Sequence, residues 1–338
     1  MNYSSLKIPG IHLFVLMMLI LPSCHWHRNR LEVDISGIRI PETKIHRYDR
    51  DLFKVPVSDL SNGLKKLEPE YTCFLGSDLD NPVKLEKMRD YLQNPRNIDF
   101  QQATERKFPD LSDLEKKLND GFRHFKYYFP DARLPKVYSY ISGGEYNTPV
   151  EISDSILIIA LDIYLGKDFR IYQSDGVPNY KIARMTPDFI VPDCMSALIL
   201  DRFPADPSVL TLLGQMVEAG KRLYLLDAML PGQAVELKTG YTPEQIDWIR
   251  RNEEHVWGSI IENRMLYSSK GDVLRVFLAD GPFTTEFSKD SPPRLGEWIG
   301  WQIVTSFMEK HPEVTLPELM QEKDAQRILM LSGYKPQR

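Results

Sequence analysis

Apolar positions recur along this chain with two periods. Over residues 31–53 (LEVDISGIRIPETKIHRYDRDLF) they alternate, which predicts strands broken at Gly37 and Pro41. Over residues 60–129 the spacing lengthens to that of helices. Leu85, Met88, Tyr91 and Leu92 share one face. Leu111, Leu114, Leu118, Phe122 and Phe125 share another, in a helix started by Asp110 or Ser112. Pro130 and Pro135 stop helix. Residues 137–146 and 155–164 are aromatic or β-branched runs bounded by turn residues, so strands are expected there. The SGGEYNTPVEISD connection between them predicts an antiparallel pair.

Helical spacing then dominates. Residues 188–227 read as two helices joined by a turn rich in Pro and Asp. Pro192 fits a first helical position, and Asp206-Pro207 fits a cap followed by Pro. Val209, Leu212, Leu213, Met216, Val217, Gly220, Leu223 and Tyr224 form one apolar stripe. Thr242-Pro243-Glu244-Gln245 is a capping box opening a helix to about Tyr267. Ser291-Pro292-Pro293 breaks the chain. Residues 295–309 are apolar and aromatic, and Gly296 and Gly300 leave room for another element to approach. Thr315-Leu316-Pro317-Glu318 is a second capping box, opening a last helix that ends near Gly333. No linker, charge run or repeat divides residues 31–338. They are expected to form a single, mostly helical α+β domain with a small mixed or antiparallel sheet.

The N-terminus breaks both periods. Lys7 precedes an apolar run, residues 8–21, shorter than the ~20 residues of a membrane span. Leu21-Pro22-Ser23-Cys24 resembles a bacterial lipobox. Residues 1–23 are therefore read as a lipoprotein signal peptide, Cys24 as the lipidation site and residues 24–30 as a tether. Two or three acyl chains hold a soluble body on a bilayer where one barely does. No Asp follows Cys24 directly and the tether has no acidic cluster, which favours an outer-membrane anchor with the body facing the periplasm. Cys73 and Cys194 remain, and spacing does not say whether they pair.

Composition removes several functions. The net charge of −5 argues against a nucleic-acid partner, which calls for a basic face. No P-loop, GxGxxG or Gly-x-Ser-x-Gly elbow occurs, and no cofactor is expected. The seven histidines (His12, His25, His27, His46, His124, His255 and His311) include no pair four apart. A helical zinc site of the HExxH kind is therefore missing. Glu218, with Lys221 and Arg222 three and four residues on, reads as half of a surface ion pair worth a few tenths of a kcal/mol.

Several strings together resemble the gliding-motility lipoprotein GldB family of Bacteroidota. They include Arg47-Tyr48-Asp49-x-x-Leu52-Phe53, Phe125-Lys126-Tyr127-Tyr128-Phe129-Pro130 and Tyr138-x-Tyr140-Ile141-Ser142-Gly143. Ala160-Leu161-Asp162-x-Tyr164-Leu165-Gly166, Pro178-x-Tyr180 and Met216-Val217-Glu218-x-Gly220-Lys221 follow in order. Gly240-Tyr241-Thr242, Trp248-x-x-x-Asn252-Glu253 and Leu266-Tyr267-Ser268 come next. The set ends with Gly296-x-Trp298-Ile299-Gly300-Trp301-Gln302-Ile303-Val304 and Tyr334-Lys335-Pro336. The resemblance implies a lipid-anchored envelope protein linked to gliding motility and type IX secretion, whose components would be its partners. It also implies a zincin-like core, related to gluzincin peptidases, in which Glu218 takes the vestigial third-ligand position. The segment that would carry HExxH reads DCMSALILDR, where only Asp193, Cys194 and Asp201 could ligate. The expectation is a non-catalytic binding or assembly component. Two alternatives stand beside it. One is a hydrolase using Glu218 with Asp193, or Glu253-Glu254-His255. The other is a solute- or peptide-binding lipoprotein with an aromatic pocket built from the residues after Trp298.

Overall fold

Strands form where β-branched and aromatic residues cluster, and they are short. The structure, a computed structural model, describes residues 30–153 and 155–336. The signal peptide, Cys24 and most of the tether lie outside the described residues. The chain divides into a short N-terminal unit, Met1–Val33, and a body, Asp34–Arg338, to which everything below refers. The strands are β1 (Ile45–Arg47), β2 (Lys136–Tyr140), β3 (Val150–Ser153) and β4 (Ile156–Ala160), in the order β1-β2-β4-β3. Val137 sits opposite both Ile45 and Leu157, an apolar row across three strands.

Two expectations change here. Of residues 31–53 only Ile45–Arg47 is strand among the described residues. The two best strand runs do pair, but in parallel, through β2 and β4. The connection itself supplies β3, which folds back antiparallel on β4 with Val150 opposite Ile159. A hairpin inside the connection thus removes the geometry that would have made its ends antiparallel. The sheet is mixed and the fold is α+β.

Among the described residues five α-helices precede β2: α1 (Tyr48–Asp51), α2 (Leu60–Leu75), α3 (Pro82–Gln93), α4 (Pro95–Lys107) and α5 (Ser112–Tyr128). α3 and α4 each start at an Asn side chain capping backbone N–H groups, with Pro next. Asp110 accepts from the Ser112 amide at 3.3 Å where α5 begins. Tyr48, Leu52, Leu64, Tyr71 and Tyr138 join this layer to the sheet in one buried cluster. Buried Asp49 locks the join, accepting from Arg47 Nη2 at 2.7 Å and Ser139 Oγ at 2.5 Å.

After β4 come α6 (Arg170–Ser174), α7 (Asn179–Ile182), α8 (Ile190–Arg202), α9 (Leu212–Met229), α10 (Val235–Thr239), α11 (Pro243–Glu262), α12 (Gly271–Leu278), α13 (Leu295–Lys310), α14 (Leu316–Gln321) and α15 (Ala325–Ser332). α9 and α13 form the spine. α8 packs between α5, α9 and the β3–β4 hairpin. Both capping boxes form, at Thr242/Gln245 and Thr315/Glu318. Gly333 closes α15 in the left-handed region, as a C-terminal stop does.

Four helix boundaries differ from the sequence pattern. α8 starts at Ile190, so Pro192 is its third residue rather than its first. α9 starts at Leu212 rather than after Asp206, because Thr211 Oγ1 caps the Gly214 amide at 3.2 Å. Asp206 instead accepts from the Ser208 amide in a turn. α11 stops at Glu262. The expected last helix is two: Glu322 adopts an extended conformation after α14, and Asp324 caps α15 through the Arg327 amide at 2.9 Å. Among the described residues no helix is long and apolar enough to cross a membrane.

Candidate functional site

The carboxyl ends of the parallel strands β2 and β4 point at one cleft, the usual place for a ligand in sheets of parallel strands. Its rim is built by the segment after β2. Asp162, fully buried just beyond β4, accepts from the Ser142 amide at 2.9 Å, Ser142 Oγ at 2.8 Å and the Gly144 amide at 3.2 Å. Burial pushes its carboxyl up, and these hydrogen bonds oppose the shift. Gly143 and Gly144 take φ of +72° and +92°, and a β-carbon on Gly144 would fall 2.3 Å from Arg96 Nη2. Arg96 reaches across from α4 to the Gly143 carbonyl (2.9 Å) and Asp175 (2.9 Å), and Tyr146 donates to the same carboxylate. Those contacts hold Asp175 below the usual carboxylate range, the hydrogen bond from Arg96 foremost.

Below this rim lies a cavity of about 220 Å³. Asp193, in the first turn of α8, forms part of its wall and accepts from Tyr164 Oη at 2.6 Å. Burial raises the Asp193 carboxyl to about 6, against the pull of the Tyr164 hydrogen bond and the nearby Arg184 charge. Tyr164 is itself buried, so the donor is fixed. Lys181 also lines the cavity, and its Nζ donates to Asn147 Oδ1 at 3.0 Å. Arg184 pairs with Asp280 at 2.6 Å, and Asp280 also meets Arg294 at 3.3 Å. Ile163, Met185 and Pro149 supply apolar wall. No histidine, cysteine or serine lines the cavity; its titratable wall is made of Tyr146, Tyr164, Lys181, Arg184, Asp193 and Asp280. What it offers is fixed donors and acceptors of both charges.

The residues singled out from sequence do not converge on one site. Glu218 pairs with Lys221 at 2.5 Å, but not on the surface: Lys221 is 2% exposed and also donates to the Glu322 carbonyl at 2.6 Å. The α14–α15 connection covers what a helical wheel places on the polar face. Glu218 and Asp193 line two different cavities, the former beside Asp206 and Arg222. Cys194 is fully buried and its thiol is pushed up by burial, while Asp201 is exposed at the end of α8. Glu253 points inward and accepts from Trp298 Nε1 (2.9 Å) and Tyr334 Oη (2.8 Å), whereas Glu254 and His255 face outward. Trp298 and Trp301 are buried against each other, edge to face. Cys73 and Cys194 are unbonded, one exposed and the other buried. Among the described residues no three of His, Cys, Asp or Glu gather as a metal-holding group.

Sequence reasoning missed Lys181, Arg184 and Asp280 entirely, because nothing local marks them. Asp162 and Tyr164 did stand in one of the resemblance strings, Ser142 and Gly143 in another, and the structure brings these strings together. The model of the family described as gliding motility protein GldB matches residues 28–336, and the chain belongs to that family. No curated protein and no solved structure gives a significant match.

Proposed function

We propose that this member of the GldB family is a lipid-anchored protein of the cell envelope, a non-catalytic binding or assembly component of the gliding-motility and type IX secretion kind. The observation that carries the gliding-motility part of this reading is the family match, over residues 28–336. The lipobox-like Leu21-Pro22-Ser23-Cys24 supports anchoring through Cys24; the lack of Asp directly after it supports an outer-membrane position, and the lack of an acidic cluster in the tether supports a body facing the periplasm. The cleft supports binding, since Lys181 and Asp193 are oriented on its wall by Asn147 and Tyr164. Within this reading the α8–α9 pair is a zincin-like scaffold whose Glu218 serves Lys221 instead of a metal.

A second reading, a solute- or peptide-binding lipoprotein, is favoured by the cavity at Asp193, with Tyr146 and Tyr164 as its aromatic walls. The primary test is twofold. Metabolic labelling with an alkynyl fatty acid should mark the wild-type chain, and Cys24→Ala should lose both the label and membrane retention. A tagged chain cross-linked in intact envelopes should then capture secretion or motility components, identified by mass spectrometry. An unlabelled wild-type chain, or a capture empty of such components, overturns the reading.

A further inference from the structure

We propose that the cavity between Lys181 and Asp193 binds a small zwitterion, a free amino acid or dipeptide, with the ligand's ammonium on Asp193 and its carboxylate on Lys181. This rests on the binding reading of the cleft and names its ligand class.

Lys181 and Asp193 line the same cavity with opposite charges, yet no ion pair joins them. Each is held by a neutral group that orients it without neutralising it: Asn147 Oδ1 at 3.0 Å for the ammonium, Tyr164 Oη at 2.6 Å for the carboxylate. The Tyr164 hydrogen bond engages only Oδ2, which leaves Asp193 Oδ1 free to accept. Of the other two charges on the wall, Arg184 pairs with Asp280 at 2.6 Å, and Asp280 also meets Arg294, which Glu297 balances at 3.1 Å. One cation and one anion are therefore left facing the space. A simple anion would meet the Asp193 carboxylate, and a simple cation would meet the Lys181 ammonium. A molecule carrying both charges meets neither problem, and its two charge-assisted hydrogen bonds are the strong kind.

Size narrows the class. At about 220 Å³ the cavity is smaller than the ~300–1,000 Å³ of sites for drug-sized ligands. It suits one residue or two. Ile163, Met185 and Pro149 offer apolar wall to a short side chain. The rim above is rigid, pinned by Asp162 and by the Arg96–Asp175–Tyr146 contacts, so the ordering cost of binding is low.

The test uses the full chain, purified in detergent, and isothermal titration. Glycine, L-alanine, L-leucine, L-Ala-L-Ala and D-Ala-D-Ala form one series, and their N-acetyl and C-amide derivatives form another. At least one free zwitterion is expected to bind, and blocking either end should weaken it about tenfold or more, as expected for a lost charge-assisted hydrogen bond. Lys181→Met should cost the free ligand as much as amidation does and cost the amide nothing further. Asp193→Asn should behave the same way toward acetylation. Asn keeps an acceptor for Tyr164, and thermal melts of both variants establish that they remain folded. The proposal fails if no free zwitterion binds at millimolar concentration, or if blocked and free forms bind alike. It also fails if the substitutions and the blocks add independently. Because the assay is carried out on purified protein, its outcome is separate from whether envelope partners are captured.

Discussion

Met216 and Gly300 meet backbone to backbone. A β-carbon on Gly300 would lie 1.8 Å from the Met216 carbonyl oxygen, and one on Gly220 would lie 2.2 Å from the Gly300 carbonyl oxygen. The two central helices, α9 and α13, can approach this closely only because neither glycine has a side chain. Buried Met216, Val217, Ile299 and Val304 close around the crossing. α8, which carries Asp193, packs on α9, so this crossing supports one side of the cleft as well.

Gly300→Ala should therefore destabilise the body by roughly 3 kcal/mol or more, at the upper end of what overpacking a core costs, because the obstacle is backbone and cannot rotate away. Gly220→Ala should act similarly. Gly258 in α11 is the control, since its β-carbon would meet nothing within 4 Å. Gly258→Ala should add about 0.5–1 kcal/mol through helix propensity alone. Urea denaturation of the three variants checks the set. Equal effects at Gly300 and Gly258 would mean that the crossing is not tight.

A second consequence concerns the C-terminal segment. Glu253, buried in α11, is served by Trp298 of α13 and by Tyr334 beyond α15. Tyr334→Phe removes one donor and leaves the other, and should cost about 1 kcal/mol. Glu253→Ala strands both donors and should cost about 2–4 kcal/mol, as two unsatisfied groups of about 1–2 kcal/mol each. Equilibrium unfolding distinguishes these values. A Glu253→Ala variant no weaker than Tyr334→Phe would show that water replaces the carboxylate.

Features written within four or five residues could be read from the sequence. The capping boxes at Thr242 and Thr315, the stop at Gly333 and the close-approach glycines all formed as their local chemistry predicts. Some local readings also failed, such as the Asp206 cap, displaced by Thr211, but the larger failures depended on partners far along the chain. Lys221 looked solvent-exposed until the Glu322 carbonyl, 101 residues away, covered it. Parallel pairing of β2 with β4 depended on a hairpin hidden in the connection. The cleft shows the same division. Asp162 stood in a recognisable string, but its acceptor role needs the Ser142 loop, and Lys181 joins the site only through the fold. The pairing of Glu253 with Trp298 and Tyr334 likewise unites three strings that sequence could only set down in order.

Asp162 tests whether the rim is built from within. Its oxygens face three donors, so Asp162→Asn places an amide NH₂ where an acceptor is needed. The expected cost is about 2–4 kcal/mol, from one lost charged hydrogen bond and one donor left opposed. Hydrogen exchange should also rise at the Ser142 and Gly144 amides, while amides in α13 stay protected. Uniform loss of protection across the body would instead mark Asp162 as a general core residue.

Asp193 gives the prediction with a sign in pH. Its folded-state pKa, about 6, lies above the ordinary 3.8, so the folded chain holds this proton more tightly than the unfolded chain. Below about pH 4 both states are protonated and the preference is fully present. As pH rises through 4 to 6 the unfolded chain ionises first and stability falls; above 6 the folded state carries a buried charge. Two pKa units correspond to about 3 kcal/mol, and the partial exposure of Asp193 reduces this to about 1–3 kcal/mol. Asp193→Asn removes the titration but keeps an acceptor for Tyr164. The stability of the variant minus that of the wild type should therefore grow by about 1–3 kcal/mol between pH 4 and 7. Denaturant melts across that range measure it. A difference that stays flat, or that shrinks as pH rises, would place the Asp193 carboxylate in water rather than in the wall of a cavity that disfavours its charge.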